Sequence, residues 1–436
     1  MAFPGFDCAR VARALGLLCT EAEDLADAYF ERIELTETPG AQAGPGLVVR
    51  REEGFALRLV RGGRVWLVSR DEIGDDVVAR AFRQVARSLP PAAPSFRGIE
   101  PGPWPELEDA DALLGLHGRV EHELRQLRAG FPFRLRARRH RREAVVVSPR
   151  LQPDPQVETF YSVEADVPWG RWGGLMSDLD EAPLRIASAL AELFRARDAS
   201  PPQPVRTVVV LGPAAAAVFL HEAAAHTLEA DTLALTGRPS SAIGVRLGSE
   251  ILDVLDDPAR APGGVRRTSD DEGMPVTRRW LLRAGVVEQP IADRTWADRA
   301  GLQPGAGRRS QRHRLPVPRS SHLELLPGTF SFDELQAGAT GGLLVQEVDR
   351  GRLDPFSGRF VLDAASARRI GPGGLGERLR PVRLSGSVVE LLSAINGIGS
   401  QVRSGGAGWC AKGGDRLPVW ATAAALRLEG IQVGPP

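Results

Sequence analysis

The residues with the most chemistry in this chain lie together in Gly212–Asp231, GPAAAAVFLHEAAAHTLEAD. Two imidazoles, His221 and His226, bracket the carboxylate of Glu222, with Glu229 and Asp231 one turn further on. Pro213 suits the first turn of a helix, where its missing N–H would have no partner anyway. The alanine run and Val218, Phe219 and Leu220 favour helix and burial. A buried helix must satisfy its imidazoles and carboxylate, because unpaired polar groups inside a protein are costly. A shared metal ion does this most simply.

The spacing makes a demand on the backbone. In the H-E-x-x-H motif the two histidines sit one turn apart on one helix face. Here the interval is five residues, HExxxH. On an ideal helix that separates the two rings by about 140°. One ion can reach both only if the helix widens locally, as in a π-bulge, or ends between them. Two unrelated buried histidines would give the same letters. Glu222 beside the first and Glu229 and Asp231 after the second favour the site. A catalytic zinc commonly takes three protein ligands and keeps one open position. On spacing alone the third ligand stays open: Cys410 sits in a tight Gly-rich setting, yet a lone Cys is more often simply buried.

The elements that must hold such a site follow from length and pattern. With 436 residues the chain is too long for one ordinary core, so two domains are expected. Lysine plus arginine and aspartate plus glutamate number 55 each, so no global field draws in nucleic acid or a membrane surface. No apolar run approaches the roughly 20 residues needed to span a bilayer. The first residues do not read as a signal peptide, and three cysteines, Cys8, Cys19 and Cys410, form no disulfide framework. A reducing, cytoplasmic setting is the expectation.

Along the first half, a short helix over 7–20 precedes alternating strands at 27–35, 47–51, 54–60 and 64–69, with Gly62-Gly63 as a hairpin turn. Asp71 is read as the cap of a helix ending at Pro90-Pro91, and a Pro-rich connector runs to Pro105. Helices over 106–128 and 178–197 flank strands at 133–147 and 157–167. The arginines of 134–142 suit a nucleic-acid patch or, more simply, the solvated face of an antiparallel strand. The Pro-rich Ser200–Pro204 marks the boundary. The fold class is therefore α+β. An N-terminal domain, 1–204, carries an antiparallel sheet with helices, and a C-terminal β-rich domain, 205–436, carries the metal-binding helix. In the second half, 305–319 is read as an exposed basic loop able to hold a peptide's carboxylates and carbonyls. Residues 405–418 are read as a Gly-rich loop before a last strand.

The ordered set of motifs resembles the TldD/PmbA, or modulator-of-gyrase, family of metallopeptidases, and more its metal-bearing branch. The resemblance rests on Glu23–Arg32, on HEAAAHTLEAD at 221–231, and on Ser269–Pro275, Gly307–Arg309, Leu315–Arg319, Leu326–Gly328, Gly358–Phe360 and Cys410–Val419. It implies a zinc ion held by His221, His226 and Cys410, with Glu222 as general base. Glu229 and Asp231 would orient the ligands, and Arg308 and Arg309 would contact substrate. It also implies a homodimer, or a heterodimer with a metal-free TldE/PmbA-like subunit. The substrates would be extended, unfolded or short peptides, including ribosomally made precursors. Two other readings are a non-catalytic partner subunit, against which the intact ligand set stands, and a DNA- or gyrase-associated module, against which the zero net charge stands. One departure is that Ala225 and Ala230 stand where the family usually has glycine, which would ease a distorted helix.

Overall fold

The structure, a computed structural model, describes residues 6–38, 46–86, 99 and 101–436. Most of the Pro-rich connector, and all but the last residue of a Gly/Pro-rich loop that the sequence suggests around 39–46, lie outside the described residues.

The first sheet has six antiparallel strands: β1 Leu25–Glu37, β2 Val48–Arg61, β3 Arg64–Arg70, β4 Arg134–Val147, β5 Gln156–Val167 and β6 Gly170–Met176, in the order β3-β2-β1-β4-β5-β6. Four helices accompany it: α1 Cys8–Gly16, α2 Asp75–Ala86, α3 Ala110–Gln126 and α4 Ala182–Arg195. Leu15 of α1 and Phe82 of α2 close over Phe30 and Phe55, while Leu116 and Val120 of α3 and Leu190 of α4 close over Val163 and Ala165. Because side chains alternate along a strand, Asp27, Tyr29 and Glu31 point away from Phe30. They meet arginines of the second half instead.

Two expectations change here. The runs at 47–51 and 54–60 are one strand, β2, continuous through Glu52 and Glu53. Asp71 does not cap the following helix, which starts at Asp75. The Asp71 carboxylate instead accepts from Arg312 Nη2 at 2.7 Å. A long-range charge partner has outcompeted the local cap.

The second sheet is mixed and larger. Its centre is β7, Val205–Leu211, antiparallel to the last strand Asp415–Gly434 and parallel to Leu343–Val345. On the far side of Asp415–Gly434 lies His322–Leu325, also parallel. Ile395–Lys412 and Asp415–Gly434 form the closing hairpin, turned by Gly413 (φ 61°) and Gly414 (φ 84°). Two consecutive positive φ values are what a two-residue hairpin turn needs, and glycine supplies them without strain. The Gly-rich loop expected at 405–418 is therefore strand, turn and strand. Register with a long partner overrides the low strand propensity of glycine. The segment expected as an exposed basic loop is also largely buried, with Arg308, Arg309, Arg312 and Arg319 all below 10% exposure.

Candidate metal centre

Directly after β7 comes α5, Pro213–Leu220, with Gly212 as N-cap and Pro213 in the first turn. Ala215, Ala216, Ala217, Phe219 and Leu220 are buried, so the helix is apolar nearly all round and sits in the core of the second sheet. Phe219 packs edge-on against Phe360 at 5.7 Å between ring centroids.

The helix then does what the five-residue interval demands. Residues His221–Ala225 form a π turn, in which the N–H of His226 donates to the carbonyl of His221. A single 3-10 turn, His226–Leu228, ends it. The widened turn brings the two imidazoles to 4.6 Å between centroids, with 62° between their planes. Ala225 sits at φ −65°, ψ −54°, an ordinary helical conformation. Alanine in place of the usual glycine is therefore unstrained there. Ala230 is fully buried and opens the next short helix.

Cys410 arrives from the closing hairpin. Its Sγ lies 3.3 Å from His226 Nε2, and donor atoms of His221, His226 and Cys410 all lie within 4.8 Å of one another. All three residues are buried. His226 Nδ1 is 3.0 Å from Glu229 Oε2. A carboxylate only accepts, so Nδ1 carries a proton, and Nε2 is the nitrogen turned to Cys410. His221 Nδ1 lies 3.5 Å from Ser320 Oγ, whereas His221 Nε2 is buried with no hydrogen-bond partner. That nitrogen is therefore free to meet a ligand. A soft sulfur ligand beside two imidazoles is a donor set that suits zinc. The residues present fit a metal ion.

The electrostatics agree with that fit. Burial pushes His221 well below the ordinary imidazole range, which keeps it neutral and able to donate a lone pair. For His226 burial also opposes protonation, but Glu229 and the Cys410 thiol outweigh it and raise the pKa well above normal. That is a ring waiting for positive charge, from a proton or from a metal. Burial raises Glu222 above the usual carboxylate range. Its side chain is half-buried, and none of the hydrogen bonds or ion pairs among the described residues holds its carboxylate. Gly351, on the strand Arg350–Leu353, lies so close that a Cβ there would come within 2.3 Å of Glu222 Cγ.

Behind the ligands, Glu229 Oε2 also accepts from Lys412 Nζ at 2.6 Å and lies 3.5 Å from Arg319 Nη1. Asp231 Oδ1 accepts from the same Nζ at 2.7 Å. Glu229 thus contacts His226 directly, and Asp231 shares the Lys412 ammonium with it. From the sequence, Lys412 carries no role, and Arg319 is read only as part of the basic 305–319 segment. Their signal was present for Lys412, two residues beyond Cys410 and hence on the same face of a strand, once that stretch is read as strand.

Arg308 and Arg309 are not at this centre. Arg308 Nη1 donates to Ser321 Oγ at 2.7 Å, and its Nε lies 3.6 Å from Asp271. Arg309 lies over the Tyr29 ring at 4.3 Å and near Asp27 at 3.9 Å. Both are about fully buried (2% and 1% exposed), so the expected peptide contact is replaced by a place in the seam between the two sheets. The arginines of β4 have local partners too: Arg139 with Glu34, Arg136 and Arg138 with Glu37, and Arg142 with Glu31 and Glu158.

No helix among the described residues is long and apolar enough to cross a membrane. The PmbA/TldA metallopeptidase C-terminal domain matches residues 204–435. A metalloprotease of Methanothermobacter thermautotrophicus is 33% identical over 259 residues, 59% of this chain and 56% of that protein. A metalloprotease TldD homolog of Haemophilus influenzae is 31% identical over 52% of this chain and 48% of its own length. The matched stretch thus spans about half the length of these curated relatives. In fold, the chain is similar to TldE from Thermococcus kodakarensis, with a TM-score of 0.74 and 17% identity over 98% of this chain and 99% of that one. This chain belongs to the PmbA/TldA (TldD/PmbA) family of metallopeptidases.

Proposed function

We propose that this chain is a zinc-dependent peptidase that hydrolyses peptide bonds in short or unfolded peptides held in extended form. The observation that carries the reading is the convergence of three buried donors within 4.8 Å, one of them a nitrogen with no partner in the protein. His221, His226 and Cys410 would hold the ion, and Glu229 would fix the His226 tautomer. When bound, zinc supplies Lewis acidity and lowers the pKa of a water towards neutrality.

The remaining work falls to the chain itself. Glu222 has an unheld carboxylate whose pKa burial has raised, which suits a group that must both take and return a proton. It accepts a proton from the attacking water and delivers it to the leaving nitrogen. The strand Arg350–Leu353, resting on Glu222 through Gly351, pairs only with Arg359–Ala364 among the described strands. Its other edge offers main-chain groups to an extended peptide, a mode of binding that is tolerant of sequence. Pairing with a second subunit, a copy of itself or a metal-free relative, belongs to the same proposal.

The test is a peptide-cleavage screen on the zinc-loaded protein. Glu222→Gln should keep the metal and lose at least about 100-fold in turnover, the scale of a general acid–base contribution. Equal turnover in the variant would remove Glu222 from the chemistry. A wild-type protein that binds zinc but cleaves no peptide, alone or with a metal-free partner, would count for the partner-subunit reading.

A further inference from the structure

Of the 55 basic side chains in the sequence only one, Lys412, is a lysine. Whatever drives the chain towards arginine has acted everywhere else, on exposed helices, strand faces and buried ion pairs alike. The exception lies two residues from Cys410, at the tip of the closing hairpin, where Lys412 pairs with Asp415 across the turn.

Its surroundings explain why arginine would not serve. Lys412 Nζ donates to Glu229 Oε2 at 2.6 Å, Asp231 Oδ1 at 2.7 Å and Thr232 Oγ1 at 2.7 Å. Three acceptors converging on one point match the three N–H bonds of an ammonium. A planar guanidinium spreads its donors over a fork and cannot put three of them on one centre. The side chain is about three-quarters buried, with 25% exposed, so these bonds are partly shielded from water. Arg319 lies 3.5 Å from the same Glu229 and 3.8 Å from Asp231, and its Nη2 donates to the Lys412 carbonyl at 3.4 Å.

Two chains of contact meet at this ammonium. One runs from Lys412 through Glu229 to His226 Nδ1, and fixes which nitrogen of that ring is bare. The other runs along the strand: Cys410 and Lys412 project from the same face, so docking the lysine onto 229–232 brings the thiol to the histidines. The helical ligands and the hairpin ligand come from segments 184 residues apart. Lys412 is the charged link that joins them.

We propose that Lys412 is the positioning residue of the metal centre, seating Cys410 and orienting His226 through Glu229. The proposal rests on the metal reading above. Outer-shell partners of this kind typically account for about 10- to 100-fold in metal affinity.

The experiment uses the full chain and two metals alone. Zinc affinity is measured by chelator competition, and Co2+ loading is followed by the thiolate-to-cobalt absorption band, which reports Cys410 in the site. Lys412→Met should fold, by circular dichroism and melting temperature, bind zinc about 10- to 100-fold more weakly and lose most of the band. Lys412→Arg should recover only part of the affinity. Should the Met variant fail to fold, Thr232→Val removes one acceptor of the ammonium and should weaken zinc binding several-fold. A Met variant with wild-type affinity and band, or an unchanged Val variant, would overturn the proposal while leaving the metal reading intact. An Arg variant equal to wild type would overturn the role given to the ammonium's shape. A wild-type chain that takes up neither metal would overturn both.

Discussion

The chain buries two dense polar clusters, and they are built differently. In the seam between the sheets, Glu158 meets Arg267 at 2.8 Å and Arg142 at 3.1 Å, Asp271 meets Arg267 at 2.6 Å and the Arg309 N–H at 2.8 Å, and Arg58 joins Asp27 at 2.9 Å to Glu272 at 2.8 Å. Carboxylates and guanidinia there neutralise one another. The second cluster, around His221, His226 and Cys410, has its charge pairs behind it, in Glu229, Lys412 and Arg319. It also holds a His221 nitrogen with no hydrogen-bond partner, and Glu222 follows that residue in the chain. The first cluster is built of ion pairs that tie segments together. The second gathers two imidazoles and a thiol with the charge pairs set on one of them, His226.

Breaking the first cluster should cost stability and spare the metal. Arg267→Met removes one ion partner from each of two buried carboxylates and should destabilise the fold by about 3–5 kcal/mol in chemical denaturation, with unchanged zinc per folded molecule. Zinc lost at full stability would mean the two clusters are not separate in role.

The same cluster predicts an acid limb. Burial works against the charge on Glu158, but Arg267, Arg308 and Arg142 overcome it and hold the folded-state pKa at about 2. An unfolded glutamate titrates near about 4.3. The folded-state value is depressed, so the stabilisation is fully present above the unfolded pKa. It is lost as pH falls from about 4.3 through about 2. It is on the order of 3 kcal/mol. Glu158→Gln should flatten the stability–pH curve across that window, and an unaltered slope would count against the network.

The smallest effect concerns the second cluster's backbone. Ala225 already has helical angles, so Ala225→Gly should lower stability by about 1 kcal/mol or less and leave zinc affinity unchanged. Tighter zinc in the glycine variant would show that alanine strains the π turn.

Legibility in the sequence divides along the same line as the two clusters. The HExxxH turn is local: its five-residue interval dictates a widened helix, and the π turn at His221–Ala225 supplies one. The α+β class followed from strand alternation and helical periodicity, which are local too. Cys410 could be placed beside His226 only through resemblance, because no local rule joins residues 226 and 410. The Gly-rich composition around it argues for a loop until register with Asp415–Gly434 is known. Arg308 and Arg309 read as exposed because partners such as Asp271 and Tyr29 lie far away in sequence. Buried charge is set by partners, and partners are a property of the fold.

The most direct test of the account is elemental analysis of the purified chain beside Cys410→Ala and His226→Ala, with folding checked in each. The account predicts about one zinc per wild-type chain, in line with a single three-ligand site, and its loss in both variants. Zinc retained in Cys410→Ala at wild-type affinity, or no metal in a folded wild-type chain with or without a partner subunit, would contradict it.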